Sequence, residues 1–392
     1  MNAFSAKSIS DRLKTIGLDL EIYDKPFTNR SYTFADFDGF SKFVSMPRLK
    51  DAQPSSLPEI IEKYGSIKEV PIPVLINYIA RNVLGIEKGI DTEVREYIDV
   101  ILRGAHNVTL YIGKNITVTK DNPLIIDHGH AFATYGTVTV KDDGYIEIRT
   151  NTVFTALVIR GETSESLFRV YGVSGTDGEH GKQGVQGTPG INGTDGTCSS
   201  CGIRGADGSE GSDGGNGGQG TDGKNGENGK NAPTVAINIG DLQLDASVVL
   251  CGGNGGNGGV GGHGGNGGRG GNGGLYQTCS AEHTGGGDGG KGGNGSNGGN
   301  GGNGGSGGDG STVIVHYKSK SGHDLIGNVL TSTGGKGGTG GVVGAGGPGG
   351  KSGGNGSKSG ASGNAGSING RTGNNGNAGS GGHIEINPAI AS

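Results

Sequence analysis

Three clusters of residues in this 392-residue chain have types that could do chemistry. Cys198-Ser199-Ser200-Cys201, with Cys251 and Cys279, offers four thiols, a set that tetrahedral zinc accepts. Cys251 and Cys279 do not form a second Cys-x-x-Cys pair, so the spacing favours a local turn with free thiols, or one disulfide. Asp127-His128-Gly129-His130 could set two imidazoles on one strand face, as a metal pair requires, but its place after Leu124-Ile125-Ile126 favours a solvated loop. Ala345-Gly-Gly-Pro-Gly-Gly-Lys351-Ser352 satisfies a relaxed phosphate-loop pattern. A working phosphate loop passes from a strand into a helix, whereas Gly353-Gly354-Asn355-Gly356 follows here and will not form one. No nucleophile elbow stands out, nor any acidic pair set apart from the surface acids. The chain is read as non-enzymatic, with no metal and no cofactor.

The elements that would position any site are of two materials. Of 91 glycines, 11 lie in residues 1–171 and 80 in residues 172–392. The 20 Tyr and Phe divide the other way, and only Tyr276 and Tyr317 lie beyond residue 171. An ordinary core is therefore expected only in the first part, because burial of apolar area needs side chains. Net charge is −5 and neither part is basic, which argues against nucleic acid as a partner. The N-terminus shows no apolar signal segment, and no apolar run is long enough to span a membrane. The expected location is a virion or the exterior, after lysis or dedicated export, with the cytoplasm as the alternative.

Residues 1–105 read as a helical domain. Ser10-Asp11 opens a helix closed by Gly17, and Ser56-Leu57-Pro58-Glu59 is a capping box before a helix ended by Gly65. Two further helices are expected over Pro73–Leu84 and from Asp91 to Leu102. From Asn107 the period changes to two, as in Val108-Thr109-Leu110-Tyr111-Ile112, and Asp142-Asp143-Gly144 supplies a turn. Residues 106–171 thus read as a β domain, either a sandwich or a short solenoid.

Residues 172–230 are a Gly-X-X segment. Of its 20 frame positions 19 are Gly, but it holds one proline, Pro189, where collagen needs many. Over residues 231–392 the triplet becomes Gly-Gly-X in blocks, with Asn254, Asn257, Asn266 and Asn272 among the X residues. A period of three is the turn of a polyproline-II-type helix, which has no internal hydrogen bonds, so its backbone groups must bond to neighbours. Two glycine faces admit neighbours closely, so Gly-Gly-X helices belong inside a polyglycine-II bundle, with Gly-X-X helices nearer the outside and the X column left to solvent. Short alternating segments at 234–250, 312–330 and 383–386 could pair with each other or with 107–160, as a spine from which glycine excursions leave and return. The expected fold class is therefore multidomain: an α-helical region, a short all-β region, and a polyglycine-II bundle interleaved with strands.

Gly-Gly-X blocks interrupted by side-chain-rich loops resemble the distal tail-fibre adhesins of T-even-like bacteriophages, over about residues 250–382. The resemblance implies a sandwich of polyglycine-II helices whose loops touch a cell-surface receptor, protein or glycan. It would place Leu275, Tyr276, Gln277, Glu282 and His283 in one receptor-binding loop, and Lys318, Lys320, His323 and Asp324 in another. Residues 1–171 would serve attachment or self-association. Two alternatives carry other functions: a bacterial toxin whose N-terminal region acts on a membrane or target cell, and a structural or ice-binding protein.

Overall fold

The computed structural model describes residues 28–32, 61–62, 65–70, 96, 108–199, 205–279 and 283–388. Twelve strands are present among them: β1 (Thr28–Tyr32), β2 (Val108–Val118), β3 (Leu124–Ile126), β4 (His130–Val140), β5 (Ile146–Ile148), β6 (Thr152–Gly161), β7 (Ser164–Tyr171), β8 (Val235–Gln243), β9 (Ala246–Cys251), β10 (Thr312–Ser319), β11 (Leu325–Val329) and β12 (His383–Pro388). They form a seven-stranded sheet in the order β1-β2-β4-β6-β8-β10-β12 and a five-stranded sheet in the order β11-β9-β7-β5-β3. All pairings are parallel except β1 on β2. Each coil of this solenoid gives one strand to each sheet, and the core lies between them.

Period two explains the core. Val138 and Val140, Ile146 and Ile148, Ile237 and Ile239, and Val313 and Val315 alternate inward and are buried. Tyr135 and Phe154 meet on successive coils and Phe154 meets Phe168 edge-on across the core, with ring centroids 5.9 and 5.3 Å apart. Asp142 and Asp143 take φ of 47° and 52° in the tight turn between β4 and β5. The backbone of Val118 passes where a side chain on Gly144 would stand, so that turn requires its glycine.

The expected fold class is overturned in its first part. Outside the glycine legs the described residues are mostly β-sheet, parallel except at β1, and among all the described residues only 61, 62 and 96 are α-helical. Thr28–Tyr32, inside the expected helical domain, pairs with Val108–Ile112 as the antiparallel edge of the sheet. Paired backbone groups on a sheet edge outweigh weak local propensity. The remaining positions of the four expected helices lie outside the described residues.

Strands β8 to β12 join the same two sheets as β2 to β7, so one spine runs through the chain. Three excursions leave the five-stranded sheet and return to the seven-stranded one. Each has an outgoing and a returning leg: first and second (172–197 and 205–231), third and fourth (252–274 and 285–310), fifth and sixth (331–353 and 358–382). The third leg, with 23 residues at about 3.1 Å each, spans roughly 70 Å.

Hydrogen bonds between legs recur every three residues. Gly175, Gly178 and Gly181 donate N–H to the carbonyls of Asn254, Asn257 and Val260 at 2.7–2.8 Å. The third leg bonds to the first, second, fourth and fifth, and the fourth leg to the second, third, fifth and sixth. The first and sixth legs, both Gly-X-X, each bond to two neighbours. Odd legs form one layer and even legs the other, a two-layer packing of polyproline-II-type helices.

The strands set the register of the legs. Tyr171 pairs with Cys251, and immediately beyond, Gly172 donates to Cys251 and Gly175 to Asn254. Val313 pairs with Val235, and the same separation of 78 residues carries Asp309 N–H to the Asn231 side chain. In the Gly-Gly-X legs the X column does more than face solvent. At many X positions the N–H bonds to no carbonyl, and an Asn, Asp, Ser or His side chain of the preceding leg in the layer accepts it. Asp177 accepts from Asn257 at 2.6 Å, Asn257 from Lys336 at 2.9 Å, and Asn266 from Ala345 at 2.8 Å. In the other layer Asn225 accepts from Asn303, and Asn303 from Asn374, both at 2.8 Å. This explains why Asn recurs in the column.

Candidate functional site

All three excursions turn at the far end of the bundle, and there the glycine frame gives way to side chains. Thr197 bridges Ala206 across the first turn and Thr278 bridges His283 across the second. A disulfide, Cys198–Cys279, joins the two turns with 5.6 Å between Cα atoms. It lies one residue beyond the 80-residue separation that holds the first and third legs in register, which is the signal that could have paired these cysteines from sequence. Cys251 is a free thiol at the end of β9, raised by partial burial, and far down the leg from the bridge. Cys201 lies outside the described residues.

The distal turns are locked by polar contacts. Asp195 accepts the Leu275 N–H at 2.8 Å and Asp207 accepts the Gly285 N–H at 2.6 Å. Thr284 is buried. Its hydroxyl accepts the Gln277 N–H at 2.7 Å and its own N–H donates to the Gln277 carbonyl at 3.0 Å. The third excursion joins in: the Asn355 amide donates to the Thr284 carbonyl at 2.6 Å, and Tyr276 N–H to the Gly353 carbonyl at 3.1 Å. Gly354, at φ +84°, lies flat beneath the Tyr276 ring, whose atoms would be within 3.0 Å of any Cβ there. Tyr276 remains 43% exposed and Leu275 56% exposed. Two apolar side chains therefore stand in solvent on a backbone with few ways to relax. Thr284, Gly354 and Asn355 carry this support and were not marked by the sequence, since a lone Thr and a Gly-Asn-Gly turn have no distinctive pattern.

The predicted site residues fall in two places. Leu275, Tyr276, Gln277 and His283 share the distal tip, and Glu282 lies outside the described residues. Lys318, near the end of β10, and Lys320, His323 and Asp324, in the turn between β10 and β11, lie on the edge of the spine opposite to the one from which the legs depart. There they stack on the turn one coil below. Asp245 accepts the Asp324 N–H at 2.8 Å and contacts His323 Nδ1 at 3.2 Å, and these hold its carboxyl below the usual carboxylate range. Lys320 reaches Asp324 at 3.6 Å.

The other clusters resolve into structure. His128 is exposed and pairs with Asp127 at 2.5 Å. The phosphate-loop-like segment at 345–352 is an extended part of the fifth leg, with Lys351 N–H bonded to the Asn272 side chain at 3.0 Å. No group of three or more metal-ligating side chains exists among the described residues.

The family model described as Collagen triple helix repeat (20 copies) matches residues 172–231, the first and second legs. No curated protein and no solved structure matches the chain. These two legs are thus a collagen-like, glycine-rich repeat. Their frame glycines donate to legs of the same chain: Gly178 to Asn257 and Gly214 to Lys291.

Proposed function

We propose that this protein is a non-enzymatic adhesin, a rigid glycine-rich arm that carries the distal turns to a receptor on a cell surface, protein or glycan. One observation carries the reading: the disulfide-bridged tip holds Leu275 and Tyr276 exposed at the end of an arm about 70 Å long. Exposed Tyr and Leu on a pre-ordered backbone bind with little further loss of freedom. The collagen-like repeat is compatible with an adhesin or a structural protein. Of the two loops that the resemblance to tail-fibre adhesins implies, the one holding Leu275, Tyr276, Gln277 and His283 lies at this end of the arm. A disulfide of this kind persists in oxidising surroundings, which favours a virion or extracellular location. The spine and residues 1–107 would serve attachment.

The test is binding of the full chain to candidate host cells, with Leu275→Ser/Tyr276→Ala as the variant. Loss of binding with an unchanged melting temperature supports the adhesin. Binding that survives in the variant removes the tip from the account, and a chain that binds no cell or extracted surface component leaves a structural role.

A further inference from the structure

The two ends of the spine differ. At the N-terminal end, β1 lies antiparallel across Val108–Ile112 of β2, and the edge of the other sheet is the three-residue β3. At the C-terminal end, β12 and β11 are the edges of the two sheets, and among the described residues nothing pairs with their outer sides. Among the described residues nothing covers the core there. Val313, Val315, Val248 and Leu250, one coil below, are fully buried, whereas Ile384 and Ile386 on β12 are only partly so. On β11, Val329, in line with the core residue Leu250, is 42% exposed, and Leu325 is only partly buried. An uncovered strand edge above an open apolar core is a template for pairing.

We infer that this end docks on the same end of a second copy. A contact between unlike ends would have to join β12 to the antiparallel β1 edge, and repeated it would give an open filament. A contact between like ends is self-complementary and closes as a two-fold dimer. The residues of β12 suit such a contact. With the two β12 strands antiparallel and Ile384 opposite Ile384, His383 of each copy stands opposite Glu385 of the other, on the outer face. The alternative register with the same faces sets Glu385 against Glu385, and like charges directly opposite are destabilising. In the favoured register Ile386 lies opposite Gly382, a large residue against a small one, and the seven-stranded sheets of the two copies run on through the seam, while β11 of each copy stops one strand short of it. The arms of the two copies then point in opposite directions, with a tip at each end of the particle.

Sedimentation velocity of the full chain over a range from about 1 to 100 µM tests this, the span in which an interface of modest size associates. A dimer is expected. Glu385→Lys should weaken it by roughly two- to thirty-fold, the sum of two cross-strand His–Glu pairs, and His383→Glu added to it should restore the dimer by placing Lys opposite Glu. A chain monomeric at every concentration overturns the inference. So does a dimer unmoved by Glu385→Lys, or a weakening that the second change does not reverse. Circular dichroism of each variant shows that the fold is retained.

Discussion

Replacing Gly262 by Ala probes the packing of the legs at its centre. A Cβ there would fall closer to the Lys182 carbonyl of the first leg than the 3.0 Å that real side chains respect. The third leg would have to part from the first by about 1 Å. Gly181 N–H to Val260 and Gly184 N–H to His263, now 2.7 and 2.8 Å, would then stretch beyond hydrogen-bond range, as would Val260 N–H to His180 Nδ1 at 2.9 Å. Three bonds at about 1 kcal/mol each give a loss of roughly 3 kcal/mol. Asn257→Ala, in the X column of the same leg, adds no atom between legs and loses one bond, to Lys336 N–H at 2.9 Å, for about 1 kcal/mol. Denaturant midpoints of the two variants, measured side by side, should differ in that order, with Gly262→Ala near three times as costly. Equal costs, or a larger cost at Asn257, would refute close packing of the first and third legs.

Other consequences follow from named contacts. Cys198→Ser/Cys279→Ser should loosen the distal turns and weaken cell binding while exchange protection of β8 and β9 stays unchanged; loss of protection in the spine would mean that the bridge holds the whole fold. Among the described residues the buried Tyr135 hydroxyl has no hydrogen-bond partner, and burial raises its pKa, so Tyr135→Phe should leave the melting temperature unchanged or raise it. A fall in melting temperature would show that the hydroxyl has a partner. Asp245, through the Asp324 N–H, and Asp309, through the N–H and hydroxyl of Ser380, both hold depressed pKa values. Their stabilisation is therefore complete above the unfolded carboxylate value, about 3.9, and is lost as pH falls through the lower folded values. Asp245→Asn/Asp309→Asn should flatten the fall in melting temperature between about pH 5 and pH 3, and an unchanged slope would remove these two groups from the acid transition.

Much of the arm is legible in the chain because glycine counts are contact counts: two glycines per triplet where four legs press, as in the third and fourth, and one where two legs do, as in the first and sixth. The alternation in Val235–Ile239 and Val313–Val315 likewise announces strands. It could not announce that these strands continue the sheets of β2 to β7, since pairing across 80 residues of intervening chain has no local signal. The helical reading of residues 1–105 rested on caps and apolar spacing, and at Thr28–Tyr32 an edge pairing decides instead. The tip was legible as the place where the frame breaks, at Leu275–Thr284, but its support was not. Asn355 and Gly354 come from an excursion some 70 residues later, and Cys198 meets Cys279 only because the strand register carries them to the same height. The role of Asn in the X column was missed for the same reason. Its acceptor serves a leg 79 residues further along the chain, as from Asn257 to Lys336.

The central claim is that the glycine legs are an ordered, mutually bonded bundle whose register comes from the spine. Amide hydrogen exchange over residues 252–310 tests it most directly. The account predicts protection with a period of three: the glycine N–H groups from Gly253 to Gly274 and from Gly287 to Gly310 slow, because they donate to carbonyls of neighbouring legs, and X-column N–H groups faster, because many of them are received by side chains at the surface. Fast exchange throughout 252–310, with protection confined to the strands, would contradict it.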